Sequence, residues 1–163
     1  MPADSDRSRP PGAAAPELPH TWRPLGVRVA VWVLGGLLVV LVGFVWVAVG
    51  AEVRGQFTGF QRGTLVFLAL LLFITYHALV RSRVRATAEG LTVVNGYRSR
   101  HYEWSQVIGV SLRRGAPWGT LDLSDGTTVS LIGVQGSDGA RARRAVREIR
   151  ATIAAQSSAT PDD

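Results

Sequence analysis

The chain has 163 residues, with eighteen basic and twelve acidic side chains for a formal net charge of +6, and every basic residue is an arginine. The absence of cysteine excludes disulfides, iron–sulfur clusters and thiolate zinc sites, and His20, His77 and His101 lie too far apart for metal-ligand spacing. The apolar residues, 47% of the chain, are concentrated between Leu25 and Val80, a distribution that argues against a soluble enzyme.

Residues 1–22 are rich in Pro, Ala, Ser and charge, with almost nothing to bury, and are expected to form a disordered tail. The segment does not read as a cleavable leader, which needs a short apolar stretch soon after a basic start. From Val29 to Ala51 follow 23 uncharged residues, nineteen of them Ala, Val, Leu, Phe or Trp and the rest Gly35, Gly36, Gly43 and Gly50. As a helix this stretch reaches about 34 Å, enough for a hydrocarbon core of about 30 Å. A first transmembrane helix is therefore expected over 25–51, a short external loop over 52–62, and a second transmembrane helix over 63–80. Neither run has the polar face that a helix of a small soluble protein would show. A signal sequence is the weaker alternative for the first run, because the apolar stretch and its leader are both long.

Arginine sets the expected orientation. Arg23, Arg28, Arg81, Arg83 and Arg85 flank the outer ends of the two runs, against Arg54 and Arg62 in the connection, which favours both termini in the cytoplasm. Arg81, Arg83 and Arg85 are the candidate contacts to anionic lipid headgroups, each contributing about 1 kcal/mol if it lies near the surface. The same charges also serve to fix topology. Gly36, Gly43 and Gly50 recur every seven residues and form a candidate helix-packing seam, expected to be filled by the second span of the same chain or by a second copy.

Residues 84–156 have the grammar of a small β-rich domain. Glu89-Gly90, Asn95-Gly96 and Asp125-Gly126 are turn signals, with strands expected at about 84–88, 91–95, 98–103, 107–113, 119–124 and 127–132. A helix over 138–156, capped by Ser137 or Asp138, places Ala142, Ala145, Val146, Ile149 and Ile153 on one face and Arg143, Arg144, Arg147 and Arg150 on the other. The four arginines form a candidate partner surface. Nucleic acid is not expected, because the helix lacks interleaved aromatics and the segment from Val84 carries ten arginines against eight acids. Residues 157–163 are expected to be a second disordered tail.

The ordered set Arg81-Ser82-Arg83-Val84-Arg85, Glu89-Gly90-Leu91-Thr92-Val93-Val94-Asn95-Gly96, Trp104-Ser105-Gln106-Val107, Pro117-Trp118, Leu121-Asp122-Leu123-Ser124-Asp125-Gly126 and Ser137-Asp138-Gly139-Ala140-Arg141-Ala142 resembles the actinobacterial PH-domain family called low molecular weight protein antigen 6. The resemblance covers roughly Arg23 to Ala155. It implies a membrane α-helical hairpin joined to an α+β module, a small PH-like antiparallel β-barrel or sandwich capped by the C-terminal helix, in a bacterial plasma membrane. It implies no established activity. Eukaryotic PH domains generally bind phosphoinositides with basic residues around the loop between their first two strands. The corresponding Glu89-Gly90 is short and acidic, so that recognition is not carried over.

No nucleophile elbow, phosphate-cradling glycine loop or zinc-protease motif is present. Asp125 is explained by its turn and His101 by an exposed cross-strand pair, and Trp104 and Trp118 by packing or rim positions. The expected function is thus non-enzymatic, without cofactor: a cytoplasmic scaffold module held at the membrane for a protein or lipid-surface partner. Two alternatives are an accessory subunit of a membrane enzyme or transporter complex and an anionic-lipid sensor working through the juxtamembrane arginines.

Overall fold

The computed structural model describes residues 14–158. Two long apolar helices, α1 (Leu25–Ala48) and α3 (Gly59–Arg81), are joined by a short helix, α2 (Gly50–Gln56). Both long helices are long and apolar enough to cross a membrane, and neither buries a single residue within the chain. At 1.5 Å per residue each is about 35 Å long. The expected loop over 52–62 is corrected in two ways. Its first half is helical, and α3 begins at Gly59, where Thr58 and Gln61 exchange side-chain bonds with each other's amides and so cap the helix. The arginines of the connection are tied to backbone carbonyls: Arg54 donates to Trp46 at 2.9 Å and Arg62 to Arg54 at 2.8 Å.

The remaining elements are β1 (His20–Trp22), β2 (Arg83–Ala86), β3 (Gly90–Asn95), β4 (Arg98–Glu103), β5 (Val107–Ser111), β6 (Trp118–Leu123), β7 (Thr128–Gln135) and the closing helix α4 (Ala140–Ser158). They form a four-stranded antiparallel sheet, β1-β2-β3-β4, and a three-stranded one, β5-β6-β7. Alternation places one face of each strand in a shared core of Val84, Ala86, Leu91, Val93, Tyr102, Val110, Leu121, Leu123, Leu131 and Val134. From α4 come Ala142, Ala145, Val146, Ile149 and Ile153, the apolar stripe read from the sequence.

Asn95 joins the two sheets across their near corner. Its side-chain amide donates to the Ser130 carbonyl, and its oxygen accepts the Ile132 amide at 3.1 Å. Close by, the strands approach until a Cβ added at Gly133 would stand 2.7 Å from Arg83 Cα, so β7 crosses β2 only because that residue has no side chain.

The largest departure from the sequence reading is β1. The tail expected over 1–22 contains a strand at its end, and Trp22 is 6% exposed. Local composition is too poor in apolar residues to announce it. The strand forms because its register partners, Ala86, Arg85 and Val84, lie beyond the helical hairpin. The β-rich domain therefore does not begin at 84: its first strand precedes α1 and its second follows α3. Ser157 and Ser158 belong to α4 rather than to a tail, with the Ser157 hydroxyl donating to Ile153 at 2.9 Å. Residues 1–13 and 159–163 of the two expected tails lie outside the described residues.

Candidate functional site

Both ends of the helical hairpin are fastened to the β-domain by side-chain hydrogen bonds. At the start of α1, Pro24 is fully buried. The Asp138 carboxylate accepts the amides of Leu25 at 3.1 Å and Gly26 at 2.9 Å. Asp138 lies in a single helical turn, Gly136–Asp138, ahead of α4. The sequence reading offered it as the cap of α4; the structure has it capping α1 instead, where its negative charge also meets the positive end of the helix dipole. The indole of Trp22 donates to Glu148 Oε2 at 2.9 Å, and Arg144 donates to Glu148 Oε1 at 2.7 Å. Burial pushes the Glu148 carboxyl up, but these two donors together outweigh it and hold the carboxyl below its ordinary value.

At the end of α3 the buried Ser82 hydroxyl donates to Ala78 O at 3.1 Å and accepts the Gly96 amide at 2.9 Å. Gly96 opens the two-residue β3–β4 turn with φ 62°, as a Gly-first hairpin turn requires. A Cβ there would also press on Ala78 Cβ at 3.3 Å. Tyr97, the second turn residue, donates its hydroxyl to Ile74 O at 3.3 Å and stands 2.9 Å from His77 Nδ1. The β3–β4 turn thus lies along the last two turns of α3.

The candidate arginines fall into this frame unevenly. Arg81 ends α3 and is exposed; Arg83 and Arg85 alternate along β2, Arg83 half-buried and Arg85 exposed. Because β2 runs away from the helix, Arg85 stands about 7 Å beyond Arg83, further from the base. The register aligns Arg85 with Thr92 and His101, whose side chains meet at 3.0 Å, the exposed cross-strand pair expected for His101. On α4, Arg150 donates to Val110 O at 2.8 Å and Arg144 is paired with Glu148, so two of the four candidate surface arginines are engaged within the domain. Arg143 and Arg147 are exposed, and Arg143 lines a shallow depression with Arg113 and Arg114.

The glycine seam is not filled from within the chain. A Cβ added at Gly36 or Gly43 would meet no described atom within 4 Å, so α3 does not pack into it. Gly50 leaves the stripe altogether, because it sits at the break between α1 and α2 with φ 70°.

A feature that the sequence reading missed lies between β4 and the start of β7. Asn95, Arg98, Arg100, Tyr102, Thr128 and Ser130 line a groove of about 240 Å³. Tyr102 is 8% exposed, and its hydroxyl is buried with no partner among the described residues. A buried hydroxyl left unpaired costs about 1–3 kcal/mol. Arg98 and Arg100 precede Tyr102 by four and two positions, so all three point to the same face of β4, which the alternation of a strand made legible once Tyr102 was assigned inward. Among the described residues, no group of His, Asp and Glu is arranged to hold a metal ion.

Residues 81–152 match the family model described as a bacterial PH domain. Two relatives, each an uncharacterized protein, one from Mycobacterium tuberculosis and one from Mycobacterium bovis, are 31% identical over 145 residues, which cover 83% of this chain and 86% of the relative. No solved structure matches the chain.

Proposed function

The chain belongs to the bacterial PH-domain family, and from that premise we propose that it is a non-enzymatic, two-span protein of the bacterial plasma membrane that holds a PH-like module against the cytoplasmic face. The observation that carries this reading is the pairing of β1 with β2 across the helical hairpin. Paired strands on either side of two apolar helices return the chain to the side it left, as a two-span hairpin must. The exposed apolar faces of α1 and α3, with Trp32 at 75% and Phe60 at 84%, are far more than a soluble monomer carries, and lipid is the solvent that suits them.

The orientation rests on charge. Arg23, Arg28, Arg81 and Arg83 cluster at the domain end, whereas Arg54 and Arg62 at the far end are occupied in closing helix termini. The module's task is to present a surface, to anionic headgroups through Arg81, Arg83 and Arg85 or to a protein through the exposed arginines of α4. Tethering raises its effective concentration toward anything else in the same membrane, so weak contacts suffice. A polar intramembrane pair would support an accessory subunit of a membrane enzyme or transporter complex; His77, the residue available near the end of α3, bonds instead with Tyr97 of the β3–β4 turn.

The absence of cysteine makes the test direct. Single cysteines at Gln56 and Ser157 are introduced and intact cells are exposed to a membrane-impermeant maleimide. Gln56→Cys is labelled and Ser157→Cys is protected until lysis. Labelling of Ser157→Cys in intact cells, or recovery of the full chain in the soluble fraction, overturns the reading.

A further inference from the structure

We propose that the groove between β4 and β7 is a binding site for a phosphate group, held by Arg98 and Arg100 with the Tyr102 hydroxyl as a third donor. Three independent features converge there. The lining residues include two guanidiniums and no carboxylate. Among the described residues neither the Arg98 nor the Arg100 guanidinium has a hydrogen-bonding or ion-pairing partner, unlike those of Arg144 and Arg150. Tyr102 lines the same groove, and its buried hydroxyl lacks a partner among the described residues, an acceptor that a phosphate oxygen would supply.

The chemistry selects the ligand class. Arg98 and Arg100 lie two residues apart on one face of a strand, about 7 Å along it, within the reach of two guanidiniums closing on one tetrahedral anion. Guanidinium forks match phosphate oxygens in charge and plane. Thr128 and Ser130 on the opposite wall bring no charge that would repel an anion. A carboxylate would satisfy one fork and leave the other donors unused.

Position favours a phosphate that belongs to the bilayer. The groove begins at Asn95 and Arg98, the residues on either side of the Gly96-Tyr97 turn, and that turn rests on Ala78, Ile74 and His77 of α3. The mouth of the groove is therefore level with the end of the apolar helix, where headgroups lie if α3 spans a membrane. This part deepens the membrane reading and rests on it; the phosphate chemistry of the groove does not. The site is separate from Arg81, Arg83 and Arg85, none of which lines it.

The test uses the full chain purified in detergent and in nanodiscs. Retention of phosphatidylglycerol against phosphatidylcholine is read by native mass spectrometry, and binding of glycerol phosphate is measured by calorimetry. The unaltered protein prefers the anionic lipid. Arg98→Gln with Arg100→Gln lowers that preference about tenfold or more, the loss expected for two charge-assisted bonds. Tyr102→Phe lowers it by a smaller factor without lowering the melting temperature. Arg113→Gln with Arg114→Gln, an exposed pair that does not line the groove, leaves it largely intact. Binding of glycerol phosphate with the same variant pattern establishes the groove as a site for a soluble phosphate ester, whereas retention of the lipid alone establishes the headgroup as its source. No preference for either phosphate compound, or an equal loss in the Arg113/Arg114 variant, overturns the proposal. The maleimide labelling is unaffected by that outcome, so failure of the groove and failure of the membrane reading are told apart.

Discussion

The carboxylate of Asp138 accepts the backbone amide of Gly26, 112 positions earlier in the chain, at 2.9 Å. Through that bond the β-domain supplies the N-cap of an apolar helix whose preceding residue, Pro24, provides none. Asp138→Ala removes the only side-chain acceptor at this end among the described residues and is expected to destabilise the junction by about 1 kcal/mol, with Asp138→Asn retaining part of the effect. Hydrogen exchange read at Leu25 and Gly26 checks this: both amides exchange faster in the alanine variant while the β3 amides do not change.

Ser82 has the corresponding role at the other helix. Its hydroxyl both donates to Ala78 and accepts from Gly96, so Ser82→Ala leaves the half-buried Gly96 amide without this partner. A cost of about 1 kcal/mol is expected. The measurement is the midpoint of thermal unfolding of the detergent-solubilised protein, with Ser82→Thr as a control for loss of the hydroxyl against loss of the small side chain.

The Trp22–Glu148–Arg144 chain makes stability depend on acid. The Glu148 carboxyl is held below its ordinary value in the fold, so its contribution is complete above the ordinary carboxylate range and is lost as the pH falls through the lowered value. Glu148→Gln keeps an acceptor for Trp22 but removes the charge. It is therefore less stable than the parent at neutral pH, and the difference in melting midpoint closes as the pH falls below that range. A constant difference between pH 7 and pH 3 contradicts the linkage.

A fragment that begins after α3 lacks β1. Without it the β2 edge is bare, and the site that covers Trp22 on α4 is open to water. The fragment 82–158 is expected to aggregate or to unfold at a much lower temperature than the full chain. Joining residues 14–24 to it through a short glycine-rich linker, in place of the apolar helices, restores a cooperative transition. Circular dichroism and size-exclusion chromatography of the two fragments distinguish these outcomes.

The apolar runs and the amphipathic α4 were legible because each is a periodic or compositional signal contained in one segment. The hairpin turns were legible from Gly96 and Gly126. What the sequence did not announce depends on distant partners. His20–Trp22 is a strand only because Val84, Arg85 and Ala86 are there to receive it, and Asp138 looks like a cap for the helix that follows it until α1 is brought alongside. The groove was missed for a different reason. Arg98-Ser99-Arg100-His101-Tyr102 has no apolar alternation, so nothing local says which of its two faces is the one that Tyr102 turns inward.

A domain interrupted by its own helical hairpin carries a consequence for biogenesis. The strand made first leaves the ribosome with nothing to pair with, and waits until α1, α2 and α3 have been synthesised and β2 emerges beside it. On the proposed two-span reading, only a polypeptide whose second apolar helix has come back to the side where the first one started can zip β1 onto β2 and seat Trp22. Completion of the sheet is then a built-in checkpoint: a chain that fails to turn around leaves an open edge for proteases and chaperones to find.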